Sequence, residues 1–143
     1  GPAIGAIPSM EELRKMNVDE QPLKIIPNGL SHLICRSQKV VEEYINDPWN
    51  LKEFTVKLLA SFTIDGLDWL QAAYGEYSYP CLILHGEQDQ IVPKAASEAF
   101  YDQCSSPDKT LKILPDLYHE ILNEEAEKAD ILEEISRWIK ERI

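Results

Sequence analysis

The apolar positions of this chain follow two different rhythms. Up to about residue 78 they recur at helical spacing, and beyond it short continuous apolar runs alternate with helical stripes. Met10 to Met16 reads as one short helix with Ser9 as its N-cap. Ser37 precedes the stripe Val40, Val41, Tyr44 and Ile45, and Asp47-Pro48 ends it, because a residue before proline is pushed out of the helical region. Asn50 followed by Glu53 has the spacing of a reciprocal cap, which predicts a helix with Phe54, Leu58 and Phe62 on one face. Gly66 is expected to interrupt that helix. Leu67, Leu70 and Tyr74 then mark a further stretch, closed by Gly75 as a left-handed C-cap.

The second rhythm begins after Tyr79-Pro80. Cys81-Leu82-Ile83-Leu84, bounded by Pro80 and Gly86, is the pattern of a strand covered on both faces, which predicts a central parallel strand. Pro93 suits a first helical position, and Ala96, Ala99 and Phe100 give the following helix a close-packing face. Thr110 to Leu114 reads as a second strand. From Asn123 the pattern predicts a last helix, with acidic residues in its first turn and the stripe Ile131, Leu132, Ile135, Trp138 and Ile139. Lys140 and Arg142 at its end suit the helix dipole. Strand, helix, strand, helix is the order of an α/β fold with parallel strands. Two strands do not make a stable parallel sheet, so the sheet in this chain is expected to be incomplete. The chain thus divides into a connecting segment (1–36), a helical segment (37–78) and an α/β segment (79–143).

Composition narrows the function. With 143 residues, 44% of them hydrophobic, the chain has material for one compact domain. A formal net charge of −11 is the wrong sign for gripping nucleic acid. No apolar run is long enough to span a membrane, and the N-terminal residues lack the order of a signal peptide, which makes the cytoplasm the expected setting. Cys35, Cys81 and Cys104 are odd in number and widely spaced, so reduced thiols are expected. Gly1-Pro2 has the look of a residue pair left by tag cleavage.

Ligands of open parallel sheets sit beyond the carboxyl ends of the strands, and two such ends are legible here. The first runs into His85-Gly86-Glu87-Gln88-Asp89, the second into Pro115-Asp116-Leu117-Tyr118-His119. An acid and a base are thereby delivered to one sheet edge, with the acid first in the chain. A carboxylate that accepts from one imidazole nitrogen fixes the tautomer and leaves the other nitrogen free to take a proton from a serine hydroxyl. Asp89 and His119 suit those two parts. His119-Glu120-Ile121-Leu122-Asn123 breaks the zinc-protease spacing, and strand-to-turn geometry is expected to spread His85, Glu87 and Asp89 too far for a metal. No phosphate-cradling glycine loop occurs, and neither a metal nor another cofactor is expected. His32 is expected to be exposed, and Cys81 to be buried and inert.

Taken together, Pro80-Cys81-Leu82-Ile83-Leu84-His85-Gly86 with Asp89 and Ile91-Val92-Pro93, then Lys109-Thr110-Leu111-Lys112, then His119-Glu120-Ile121-Leu122-Asn123-Glu124, resemble the monoacylglycerol lipase and lysophospholipase-like branch of the α/β-hydrolases. The resemblance covers roughly residues 28 to 143. It implies the C-terminal half of an α/β-hydrolase core preceded by a helical cap, with Asp89 as acid and His119 as base of a serine hydrolase. It further implies that the segment from Pro27-Asn28-Gly29-Leu30 to Tyr74 is the cap, where Phe54, Leu58 and Phe62 could touch the acyl chain of a lipid ester. A stripe of that kind is also what plain helical core looks like.

The chain departs from this family in one large respect. It holds no Gly-x-Ser-x-Gly: Gly29-Leu30-Ser31-His32-Leu33 lacks the second glycine and follows no predicted strand. No Gly-rich loop for an oxyanion hole occurs either. The expectation is a cap and C-terminal half whose nucleophile lies in a missing N-terminal part, inactive by itself, acting with that part on monoacylglycerol or lysophospholipid. The alternative is a degenerate hydrolase half that works without chemistry as an interaction module, pairing with a second copy of this chain. Peripheral membrane contact through the cap is compatible with either.

Overall fold

A computed structural model describes residues 10–15 and 18–143, so Ser9 and Met16, predicted at the two ends of the first helix, lie outside the described residues. The elements in chain order are α1 (Met10–Lys15), β1 (Ile25–Pro27), α2 (Gln38–Asn46), β2 (Glu53–Thr55), α3 (Val56–Ala60), α4 (Gly66–Ala72), β3 (Cys81–Gly86), α5 (Lys94–Gln103), β4 (Lys109–Leu114) and α6 (Lys128–Lys140).

The helix α2 forms as its sequence dictates. Ser37 sits extended and its hydroxyl accepts from the Val40 amide, Val41 is buried, and Asp47 leaves the helical region ahead of Pro48. The next stretch differs from expectation. Residues 53–55 form a short antiparallel strand against β1, with Ile26 opposite Phe54, so Phe54 does not share a helical face with Leu58 and Phe62. The cap is Thr55, whose hydroxyl accepts from the Leu58 amide, and the Asn50 side chain donates to the Tyr44 carbonyl instead. The physical reason is that β1 offers a ladder to residues 53–55, and Thr caps a helix nearly as well as Asn.

Gly66 does not interrupt the helix either. A single π turn, Ser61–Asp65, joins α3 to α4, with the Gly66 amide donating to the Ser61 carbonyl. A β-carbon on Gly66 would stand 3.3 Å from that carbonyl oxygen, so glycine suits the widened turn. The inserted residue shifts the helical phase of α4 relative to α3; Leu58, before the turn, and Phe62, within it, are both exposed to solvent. The helical run ends at Ala73 in a right-handed conformation and passes into a 3₁₀ turn, Tyr74–Glu76, so Gly75 is no left-handed cap.

Two small cores hold this part together. Leu13 of α1, Ile26, Val56 and Leu59 form one; Ile34, Cys35 and Val41 form the other, with Ile91 of the α/β segment packed against it. Arg14 adds a bidentate ion pair to Asp68 of α4.

In the α/β segment, β3 and β4 run parallel from Cys81 opposite Lys109 to Gly86 opposite Leu114, joined through α5. Pro93 is the extended residue before α5, one position earlier than expected. β3 is longer than its apolar run because His85 and Gly86 continue the ladder. It has one strand partner among the described residues, so it is not central here, and the sheet is incomplete as expected. The last helix starts at Lys128, after a 3₁₀ turn at Ile121–Asn123, and only Asp130 is acidic in its first turn. Glu124 has turned inward and is buried. On one side of β3 an apolar groove of about 510 Å³ is left between Leu82 and Leu84 of the strand and Trp138 and Ile139 of α6.

Candidate active site

The site stands at the carboxyl ends of β3 and β4, where each strand runs into a loop and each loop contributes one titratable side chain. The first loop is a tight turn. Its Glu87 amide donates to the Leu114 carbonyl, its Gln88 amide to the Leu117 carbonyl and its Asp89 amide to the Gly86 carbonyl. The second loop lies so close over Gly86 that a β-carbon there would sit 2.1 Å from the Tyr118 carbonyl oxygen and 2.5 Å from that of Leu117. Only glycine leaves room for that approach. Asp116 turns the second loop, at a φ of 62° that aspartate tolerates better than most residues.

This crossing brings His119 to Asp89. The Asp89 Oδ1 atom accepts from the amides of Ile91 (2.8 Å) and Val92 (2.9 Å), which fixes the carboxylate within its own turn. Its Oδ2 atom accepts from His119 Nδ1 at 2.8 Å. The carboxylate is 3% exposed, whereas the imidazole is 38% exposed. Because a carboxylate only accepts, Nδ1 carries the proton, and Nε2 keeps its lone pair on the open side of the ring. Among the described residues none hydrogen-bonds Nε2. Asp89 and His119, 30 residues apart in the chain, are thus brought together, while Phe54, Leu58 and Phe62 are spread over β2, α3 and the π turn.

His85 and Glu87 are held mainly by other partners, with His85 Nε2 also standing 3.5 Å from Asp89 Oδ2. The buried His85 ring bonds Ser97 Oγ through Nδ1 (2.8 Å) and the Val92 carbonyl through Nε2 (2.9 Å), tying β3 to α5. A carbonyl only accepts, so Nε2 donates and Nδ1 accepts from the serine. Glu87 pairs with Lys94. No group of three His, Cys, Asp or Glu among the described residues is placed to hold a metal ion. His32 is exposed. Cys35, Cys81 and Cys104 are free and buried, and burial pushes the thiols of Cys35 and Cys81 up from their ordinary values, away from reactive thiolate.

Sequence reasoning missed what holds the second loop. Glu124, 2% exposed, accepts from the Tyr118 amide at 3.1 Å and from Arg36 Nε at 2.9 Å, and the Glu120 amide donates to the Ile34 carbonyl at 2.7 Å. The nearest signal in the sequence is an acid placed between an apolar 3₁₀ turn and a helix, which also fits an exposed helix start.

A carboxylate and an imidazole hydrogen-bonded at adjacent parallel strand ends, in that chain order, fit an α/β-hydrolase core. Comparison with known proteins agrees. A family profile described as serine aminopeptidase, S33, matches residues 6–126, and the chain belongs to this family of α/β-hydrolases. It is 40% identical over 60 residues to a monoacylglycerol lipase of Mycolicibacterium smegmatis, covering 42% of this chain and 21% of that protein. It is 34% identical over 77 residues to a caffeoylshikimate esterase of Arabidopsis thaliana, covering 52% and 23%. The crystal structure of Paleococcus ferrophilus monoacylglycerol lipase superposes with a TM-score of 0.79 at 28% identity, over 92% of this chain and 52% of that one. The chain therefore spans about half of that lipase, and a smaller share of the two relatives.

Proposed function

We propose that this chain supplies the acid and the base of a serine carboxylic-ester hydrolase, with the nucleophilic serine contributed from outside these residues. The observation that carries the reading is the 2.8 Å bond from His119 Nδ1 to the buried Asp89 carboxylate, with Nε2 left open. Nε2 takes the proton of the serine hydroxyl as its oxygen attacks the ester carbonyl, and the leaving alcohol receives that proton as the acyl-serine forms. Asp89 keeps the tautomer and stabilises the imidazolium. Water then repeats the sequence and releases the carboxylic acid.

Monoacylglycerol or lysophospholipid is the proposed substrate. The lipase relatives support it, and the exposed Leu58 and Phe62, with the half-buried Phe54 nearby in the chain, supply apolar side chains for an acyl tail. A relative named for caffeoylshikimate makes the ester class firmer than the acyl chain. The test is hydrolysis of monoacylglycerol and labelling by a fluorophosphonate probe, measured on the protein carrying the complete hydrolase domain. His119→Ala should lower turnover by roughly four orders of magnitude while the fold persists. Near-normal turnover in that variant overturns the assignment.

The second reading, a non-catalytic module, is favoured by the apolar groove beside β3, where Leu82, Leu84, Leu122 and Trp138 face open space. On this reading the groove is covered by a second copy of the chain. Light scattering that gives a monomer at high concentration counts against the second copy.

A further inference from the structure

The candidate base is only as well placed as the backbone beneath it. His119 itself is anchored through its ring, but the residues on either side of it are held by groups far away in the chain. On one side the Tyr118 amide donates to Glu124 Oε1. On the other the Glu120 amide donates to the carbonyl of Ile34. Glu124 is itself fixed to that same strap, because its Oε2 accepts from Arg36 Nε at 2.9 Å and its Oε1 from the Arg36 amide at 3.4 Å. The Cys35 thiol adds a bond to the Asn123 carbonyl at 3.1 Å. Arg36 reaches on to Glu127 at 2.6 Å through Nη2.

A carboxylate that is 2% exposed stays charged in a folded protein only where cation and N–H partners replace its water. Here the cation is Arg36, directly before the N-cap of α2, and the amide partners are those of Tyr118 and Arg36. The buried charge therefore sits between the start of the helical segment and the loop that carries the base.

From this geometry we infer that Glu124, clamped by Arg36, is a positioning residue for His119, coupling the Ile34–Ser37 strap to the orientation of the imidazole. Glu124 does not touch the reacting atoms. It fixes the amide of Tyr118, the residue before His119, so that the ring meets Asp89 through Nδ1 and not Nε2. The inference rests on the reading of Asp89 and His119 as acid and base, but its consequence, the ring tautomer, is visible without any turnover.

The test is long-range proton–nitrogen NMR of the imidazole rings in this chain, comparing the native sequence with Glu124→Ala and Glu124→Gln. His85 serves as an internal control of tautomer: Ser97 bonds its Nδ1, while the Val92 carbonyl and, at 3.5 Å, Asp89 Oδ2 both face its Nε2 and keep the proton there whatever His119 does. In the native chain His119 should be mainly the Nδ1–H tautomer. In Glu124→Ala that share should fall about threefold while the His85 pattern stays unchanged, since a ring tautomer follows its hydrogen-bond partner. Glu124→Gln keeps an acceptor for the Tyr118 amide and should fall between the two. If only the glutamine variant folds, it decides alone. An unchanged His119 overturns the proposal. So does a joint change at His119 and His85, or a loss of fold in both variants, because either makes Glu124 a stability residue. Failure of the ester-hydrolase reading is a separate result, seen in the turnover of His119→Ala.

Discussion

The helical segment and the strand-end loops hold themselves together by different means. From 38 to 72 the buried groups are apolar, Val41, Val56, Leu59 and Ala60, while Trp49, Phe62 and Trp69 stand in solvent. From 81 to 124 the buried groups include His85, the Asp89 carboxylate and Glu124, and each has directional partners. Apolar packing is tolerant of angle and fixes an element to within a side chain's slack. Hydrogen bonds to buried polar groups are demanding in angle, and leaving one unmade costs more than making it contributes. The region that holds an imidazole against a carboxylate uses the second kind of contact, and the region that exposes apolar surface uses the first.

The sharpest way to break this comparison is Gly86→Ala. The new β-carbon would overlap two backbone carbonyls that cannot move without carrying His119 away from Asp89. The expected loss is more than about 3 kcal/mol in urea unfolding, at the upper end for an overpacked site. A mild effect would mean that the loop crossing is soft and the site poorly fixed. The apolar counterpart is Leu13→Ala in α1 of the connecting segment, which removes a side chain 1% exposed from the cluster with Ile26, Val56 and Leu59, two of them in the helical segment. About 2–3 kcal/mol should be lost there, with the His119 ring signals unchanged. Movement of those signals would show that the two regions are not separable.

Smaller effects sharpen the picture. Thr55→Ala should reduce stability by about 1 kcal/mol as a lost N-cap, and Asn50→Ala should not disturb the start of α3, which circular dichroism and amide exchange can follow. Phe62→Ser and Trp69→Ser, at exposed positions, should stay within about 0.5 kcal/mol of the native value. The smallest expected effect concerns acid. The hydrogen bond and charge of Arg142 hold the Asp108 carboxyl below its ordinary value of 3.8. A value lower in the folded state means that the stabilisation is complete above the ordinary value and is lost as pH falls through the folded one. Asp108→Asn removes it throughout, so the fall in melting temperature below about pH 4 should become shallower. A steeper fall would reverse the sign of that contribution. The pair is exposed at the surface, and the difference should be small.

The pairing of Asp89 with His119 was legible because each lies just past an apolar strand, and parallel strands place such positions at one edge. Ser37 and Asp47-Pro48 bounded α2 correctly because caps and prolines act within three or four residues. β1 and β2 were not legible, since three-residue strands show no alternation and exist only through each other. The π turn at Ser61–Asp65 escaped for a related reason: one extra residue changes the helical phase without changing the composition, and the Phe54, Leu58, Phe62 stripe depended on an unbroken period.

What the sequence by itself determined is therefore the local: where α2 starts and stops, which runs become β3 and β4, and that an acid and a histidine follow them in that order. The tertiary structure decided whatever depends on a partner distant in the chain. Glu124 reads as one more acid at a helix start, and becomes a buried anchor only because Arg36, 88 residues earlier, arrives beside it. His85 reads as a turn residue too far from its neighbours to share a metal, and becomes a buried tie between β3 and α5 only when Ser97 takes its Nδ1. A side chain's chemistry is written in its type, but its burial and its partners are set by the chain that covers it, and those two quantities decide whether a charge is solvated, paired or put to use.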